Sequence, residues 1–138
     1  MPRILGLDIG DKKIGVALSD PSQTLASPLM TIVRESDEQA VNEVLKLVKK
    51  YNVSQIIIGL PYSLRGEIGK QAKKVLDFKI KIEKSIVAEI IMQDERLTSV
   101  SASQKLKEAG KRGASLKDGV DAAAATIILQ SYLDGIDK

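Results

Sequence analysis

The stretch ILGLDIGDKKIGVALSD, residues 4–20, places one acid, Asp8, between two apolar segments. Ile4 to Ile9 is a short, mostly branched run of the kind that forms a strand buried on both faces. Gly10-Asp11-Lys12-Lys13 then reads as a tight hairpin turn, and Ile14 to Ser19 as the returning strand. A carboxylate near the end of a buried strand loses its hydration without return unless a cation, a set of donors or a solvent-filled cleft receives it. Asp8 is therefore a candidate site residue. The competing reading is an aspartate that caps the Gly10 turn through its own side chain.

Outward from this hairpin, the composition narrows the chemistry. A chain of 138 residues is the size of one domain, 1–138, with a core of its own. It is 43% hydrophobic and has no run of eighteen apolar residues, so no membrane partner is expected and the chain reads as cytoplasmic. Cysteine is absent, which excludes disulfides, thiolate metal sites and cysteine nucleophiles; histidine is absent as well. A site in this chain works through carboxylates, lysine, hydroxyls or a metal-activated water, and not through a Ser-His-Asp triad or His-ligated zinc. The net charge of +3, with pI near 9.1, permits a polyanionic partner without demanding one.

Further along, Leu25 to Val33 offers a third strand in which Pro28 marks an edge position. Ser36 and Gln39 have capping-box spacing ahead of a helix over 37–50. Val53 to Leu60 (VSQIIIGL) reads as a buried parallel strand stopped by Gly59 and Pro61. After a loop at 61–70, an amphipathic helix from Glu67 to Lys84 is expected to turn Ile68, Ala72, Val75, Leu76 and Ile80 inward. Ser85 to Met92 is the last strand, delivering Asp94, Glu95 and Arg96 at its end, and Thr98 can cap a short helix through Ala109. A basic loop, Lys111-Arg112-Gly113, precedes a final helix from Ser115 to Asp134, nearly apolar after Asp121. That helix must lie on the sheet, which brings Asp121 toward the strand ends it crosses. Its competing role is to complement the helix dipole.

The resulting order predicts an α/β protein: a five-stranded mixed sheet, its first three strands antiparallel, flanked by helices in the ribonuclease H-like order. Acids then stand at the end of the first strand, after the last strand and early in the last helix. Such carboxylates suit Mg²⁺ or Mn²⁺, hard cations that keep waters for a substrate phosphate. Two such ions about 4 Å apart can promote phosphodiester hydrolysis.

GLDIGDKKIGVALSD at 6–20, IIIGLPYSLRG at 56–66, DERLTSVSA at 94–102 and VDAAAATIILQSYL at 120–133 together resemble the YqgF family, also called RuvX, over nearly the whole chain. The resemblance implies a ribonuclease H-like fold, similarity to Holliday-junction resolvases of the RuvC type, and a nuclease role in maturing the 5′ end of pre-16S rRNA. It carries a catalytic and metal-binding role onto Asp8 and Asp121, with the third ligand drawn from Asp94-Glu95-Arg96. Glu95 is preferred for its reach, and Asp94 is the alternative. Arg65, Arg96, Lys111, Arg112 and Lys117 are the expected nucleic-acid contacts. The family commonly has a Leu-Asn-Met-Asp-Gly-like sequence where this chain has Tyr62-Ser63-Leu64-Arg65-Gly66, so its polar Asn and acidic Asp are missing here.

The expected partner is nucleic acid, with pre-rRNA favoured over branched DNA, acted on by a monomer or homodimer. Two rival functions are weighed. The Asp8-x-Gly10…Gly15 hairpin resembles the phosphate-binding hairpin of actin-like ATPases and sugar kinases, but the chain holds no second such hairpin. A non-catalytic RNA-binding module would not need the three acids.

Overall fold

The computed structural model describes residues 2–10, 12–60, 70–94 and 116–135. Strands β1 (Arg3–Ile9) and β2 (Lys13–Ser19) form the expected hairpin, and β3 (Ala26–Val33) continues it antiparallel. Helix α1 (Asp37–Lys50) leads to β4 (Val53–Leu60), helix α2 (Lys70–Ser85) to β5 (Glu89–Asp94), and helix α3 (Leu116–Gly135) follows. The sheet order is β3-β2-β1-β4-β5, with β1 parallel to β4 and β4 parallel to β5. The acid-bearing strand is thus the central one. β3 is an edge strand, as Pro28 requires, and its register slips by one residue opposite Val16/Ala17.

Alternation along each strand divides the core into two layers. Leu5, Leu7, Ile9, Ile14, Val16 and Leu18 pack with Ala40, Val44, Val75, Phe78 and Ile82 of α1 and α2. Ile4, Ala17, Ala26 and Ile57 pack on the opposite side with Ala125, Ile128, Leu129 and Leu133 of α3. The strand carrying Asp8 is covered on both faces, which is why its sequence is apolar almost throughout.

The start of α1 is the capping arrangement with one shift. Ser36 Oγ accepts the Gln39 N–H at 3.1 Å, but Gln39 Oε1 accepts from Glu35 rather than Ser36, at 3.0 Å, while its Nε2 donates to Val33 O. Helix α2 differs from expectation in its inward face. Ala72 and Val75 are buried and Leu76 partly so, but Ile80 is 51% exposed, and Phe78 and Ile82 take the core positions. From Val75, spacings of three and seven stay on one helical face whereas five turns to the other side. The expected start at Glu67, with Ile68, lies outside the described residues, as do the 98–109 helix and the 111–113 loop. The last strand also begins later than read: α2 runs through Ser85, Ile86 is buried as the chain leaves the helix, and pairing starts only at Glu89.

Helix α3 crosses β1 at Gly6. A β-carbon on Gly6 would lie 2.7 Å from Leu129 Cβ and 3.1 Å from Ala125 O, closer than atoms pack, so only glycine lets the helix this near. Further along, Gln130 Oε1 accepts from Ala26 N at 2.9 Å and its Nε2 donates to Thr24 O at 3.1 Å. Ala26 pairs with Ser19, whose Oγ accepts the Ile4 N–H. The C-terminal half of α3 therefore lies toward the beginning of β1, and the helix runs antiparallel to that strand.

The loop that receives Gln130 is organised by Asp20. Its carboxylate accepts from Thr24 N, Leu25 N and Ser22 Oγ at 2.7–3.1 Å, led by the Thr24 bond, and these hold its pKa down from 3.8 to about 2. Asp37 is lowered in the same sense, first by Lys81 and then by Arg34. A depressed carboxylate pKa stabilises the fold above the unfolded value and loses that contribution as pH falls through the folded one. Stability should therefore be flat near neutrality and fall between about pH 4 and pH 2. Asp20→Ala should melt below wild type at pH 7, with the gap narrowing toward pH 2; a gap independent of pH would refute the assignment.

Candidate active site

Asp8 is half-buried on β1, flanked by the fully buried Leu7 and nearly buried Ile9. It pairs with Gly15 of β2, and alternation puts it on the α3 face of the sheet, the face of Ile4 and Gly6. Gly15 is itself buried, so the sheet is covered where it faces Asp8 across the β1–β2 ladder.

The parallel strands β1, β4 and β5 end at one edge. Leu7 pairs with Ile58, Gly59 with Gln93 and Leu60 with Asp94, so the last residue of β5 comes level with the end of β1, two strands away. Glu95 follows Asp94 but lies outside the described residues, as do Arg65, Arg96, Lys111 and Arg112. Lys117 and Asp121 belong to α3. Asp121 stands nine residues before Gln130, about 13 Å of helix, and Asp8 stands four residues after Ile4, about 13 Å of strand. As Gln130 is level with the start of β1 and the helix is antiparallel, the Asp121 position comes level with Asp8. Asp8 is the one acid of the expected trio whose side chain is among the described residues.

The described acid at this edge is Asp8, a carboxylate in a chain without histidine or cysteine. Hard oxygen donors of this kind match Mg²⁺ or Mn²⁺ and do not match the nitrogen- and sulfur-rich sites that select zinc.

A residue with no signal in the sequence holds the hairpin turn beside Asp8. Arg34, just past β3, donates its backbone N–H to Lys12 O at 2.9 Å and its Nη1 to Gly10 O at 2.6 Å. Its Nη2 reaches Asp37 Oδ1 at 2.7 Å, Asp37 in turn pairs with Lys81, and the guanidinium lies 4.9 Å from the centre of the Phe78 ring. The turn also closes on itself through Gly10 N–H to Lys13 O at 2.9 Å. Since α1, α2 and the hairpin are far apart in sequence, no local pattern announces this clamp.

The sequence model of the RuvX family, described as Holliday junction resolvase, matches residues 2–135. A Clostridium botulinum protein named "Putative pre-16S rRNA nuclease" is 46% identical over 136 residues, 99% of each chain. One of the same name from Chloroflexus aurantiacus is 44% identical over 131 residues, covering 95% of this chain and 86% of the relative. Among solved structures, Thermus thermophilus RuvC in complex with a Holliday junction substrate superposes with TM-score 0.66 at 12% identity, over 95% of this chain and 92% of that one. The fowlpox virus Holliday junction resolvase does so with TM-score 0.57 at 16% identity, over 97% and 99%. At these identities the likeness to solved structures is one of fold, and it agrees with the five-stranded mixed sheet expected from the sequence.

Proposed function

The chain belongs to the RuvX family, and from that premise we propose that it is a metal-dependent nuclease that acts in 5′-end processing of pre-16S rRNA. The observation that carries this reading is the half-buried Asp8 at the edge where the ends of β1 and β5 and the Asp121 level of α3 meet. In this reading Asp8, Glu95 and Asp121 are the catalytic and metal-binding acids, with Asp94 as the alternative to Glu95. Rigid strands and a packed helix hold such acids apart against their mutual repulsion, so the charge needed to receive a cation is present before it arrives. Mg²⁺ or Mn²⁺, when bound, activates a water and neutralises charge on the scissile phosphate and its leaving oxygen. Arg65, Arg96, Lys111, Arg112 and Lys117 hold the flanking phosphates.

The small net charge of +3 supports a short single-stranded phosphate track over a four-way junction, whose two symmetric cuts need paired sites on one broad basic surface. The test is cleavage mapping: pure protein is incubated with RNA bearing a single-stranded 5′ extension beside a stem, and with a four-way DNA junction, in Mg²⁺, Mn²⁺ or EDTA. Cuts in the RNA extension that require the metal are expected. Paired symmetric nicks in the junction, with RNA untouched, would move the protein to the resolvase class.

A further inference from the structure

The nuclease reading leaves the β1–β2 turn without a role, yet the residues at its two ends are tied down by hydrogen bonds. Gly10 N–H bonds Lys13 O, Arg34 N–H bonds Lys12 O, and Arg34 Nη1 bonds Gly10 O, so the backbone is fixed at both ends of the turn. The register sets which way its lysines face. Ile14, Val16 and Leu18 pack into the α1/α2 layer and Ala17 into the α3 layer, so Lys13, like Gly15 and Ala17, belongs to the α3 face. That is the face of Asp8. Asp8 pairs with Gly15, which makes Lys13 its diagonal cross-strand neighbour, about 7–8 Å away and within reach of a long side chain. The β2 residue directly opposite Asp8 is the buried Gly15. Lys13 is partly exposed, and among the described residues it joins none of the ion pairs.

A partly exposed cation on a clamped backbone, diagonal to the carboxylate that the nuclease reading makes a metal ligand, is placed for a substrate anion. We propose that Lys13 is a substrate-binding residue that contacts a backbone phosphate of the nucleic acid next to the one cleaved. The inference rests on the nuclease reading and deepens it: the phosphate track enters the site over the β1–β2 turn.

The experiment measures binding of a fluorescent single-stranded RNA oligonucleotide by anisotropy in EDTA, across a series of KCl concentrations, so that neither cleavage nor metal contributes. Wild type is compared with Lys13→Gln, Lys13→Arg and Lys46→Gln; the last removes the same charge from exposed Lys46 of α1, in the layer on the opposite face of the sheet. One lost phosphate contact lowers the slope of log affinity against log salt by about 0.7 for a single strand. That loss is expected for Lys13→Gln, with the slope retained in Lys13→Arg and in Lys46→Gln. An unchanged slope in Lys13→Gln, or an equal loss in Lys46→Gln, would overturn the proposal while leaving the nuclease reading intact. A wild type that binds no strand at all would overturn that reading, and this inference with it. Melting temperatures keep folding separate, since the backbone bonds of Lys13 survive either substitution.

Discussion

Gly6→Ala should lower the melting temperature by on the order of 10 °C, although it adds one methyl group to a central strand. Elsewhere in a strand this exchange is favourable, because alanine gives up less backbone entropy on folding than glycine does. Here the added carbon would sit 2.7 Å from Leu129 Cβ and 3.1 Å from Ala125 O. Neither neighbour is the end of a flexible side chain, so no rotamer change relieves the contact and the whole of α3 must lift. Overpacking of this kind costs about 1–3 kcal/mol, and a value at the upper end corresponds to the shift stated for a domain of this size. The same displacement would carry the Asp121 position away from Asp8, so cleavage should fall at temperatures where the variant is still folded. A melting temperature within a few degrees of wild type would mean that α3 does not cross β1 at Gly6.

Much of this architecture is legible from the chain because local patterns and tertiary packing agree. VSQIIIGL has a continuous apolar core at Ile56–Ile58 and becomes a strand paired parallel on both sides; Pro28 lies on an edge; Ser36 caps α1. The misreadings fall where two patterns compete. In α2 the eye is drawn to Ile80 as the next aliphatic residue, but the buried stripe runs through Phe78 and Ile82, and Ile80 remains outside. Ser85 to Ala88 is apolar enough to suggest strand, yet Ser85 ends α2 and Val87 is fully exposed, because this segment links two layers before pairing begins at Glu89.

For the site, Asp8 stands out because an acid in a buried strand is chemically costly. The contacts that hold its surroundings do not stand out. Arg34 on Gly10 O, and Gln130 between Thr24 and Ala26, join residues 24 to 106 positions apart, and nothing in either neighbourhood marks them as anchors. The choice between Asp94 and Glu95 depends on the geometry just past β5, where only one of two adjacent side chains can turn toward the edge.

Asp8→Asn should abolish phosphodiester cleavage and leave the fold intact. The substitution keeps the shape of the half-buried side chain and exchanges one carboxylate oxygen for an amide nitrogen, removing a ligand charge without opening a cavity. If the structural role of Asp8 were only to cap the turn, asparagine would serve nearly as well, since both residues accept hydrogen bonds in such turns. The two roles therefore separate in one measurement: Mn²⁺ binding followed by electron paramagnetic resonance on the RNA-free protein, wild type beside Asp8→Asn, with cleavage and melting temperature recorded on the same samples. A metal-binding Asp8 requires Mn²⁺ binding by wild type, loss of that binding in Asp8→Asn by tenfold or more (as for a missing ligand of about 1.4 kcal/mol or above), loss of cleavage, and a melting temperature no lower than wild type in metal-free buffer. Equal Mn²⁺ affinity and wild-type cleavage in a well-folded Asp8→Asn protein would contradict it.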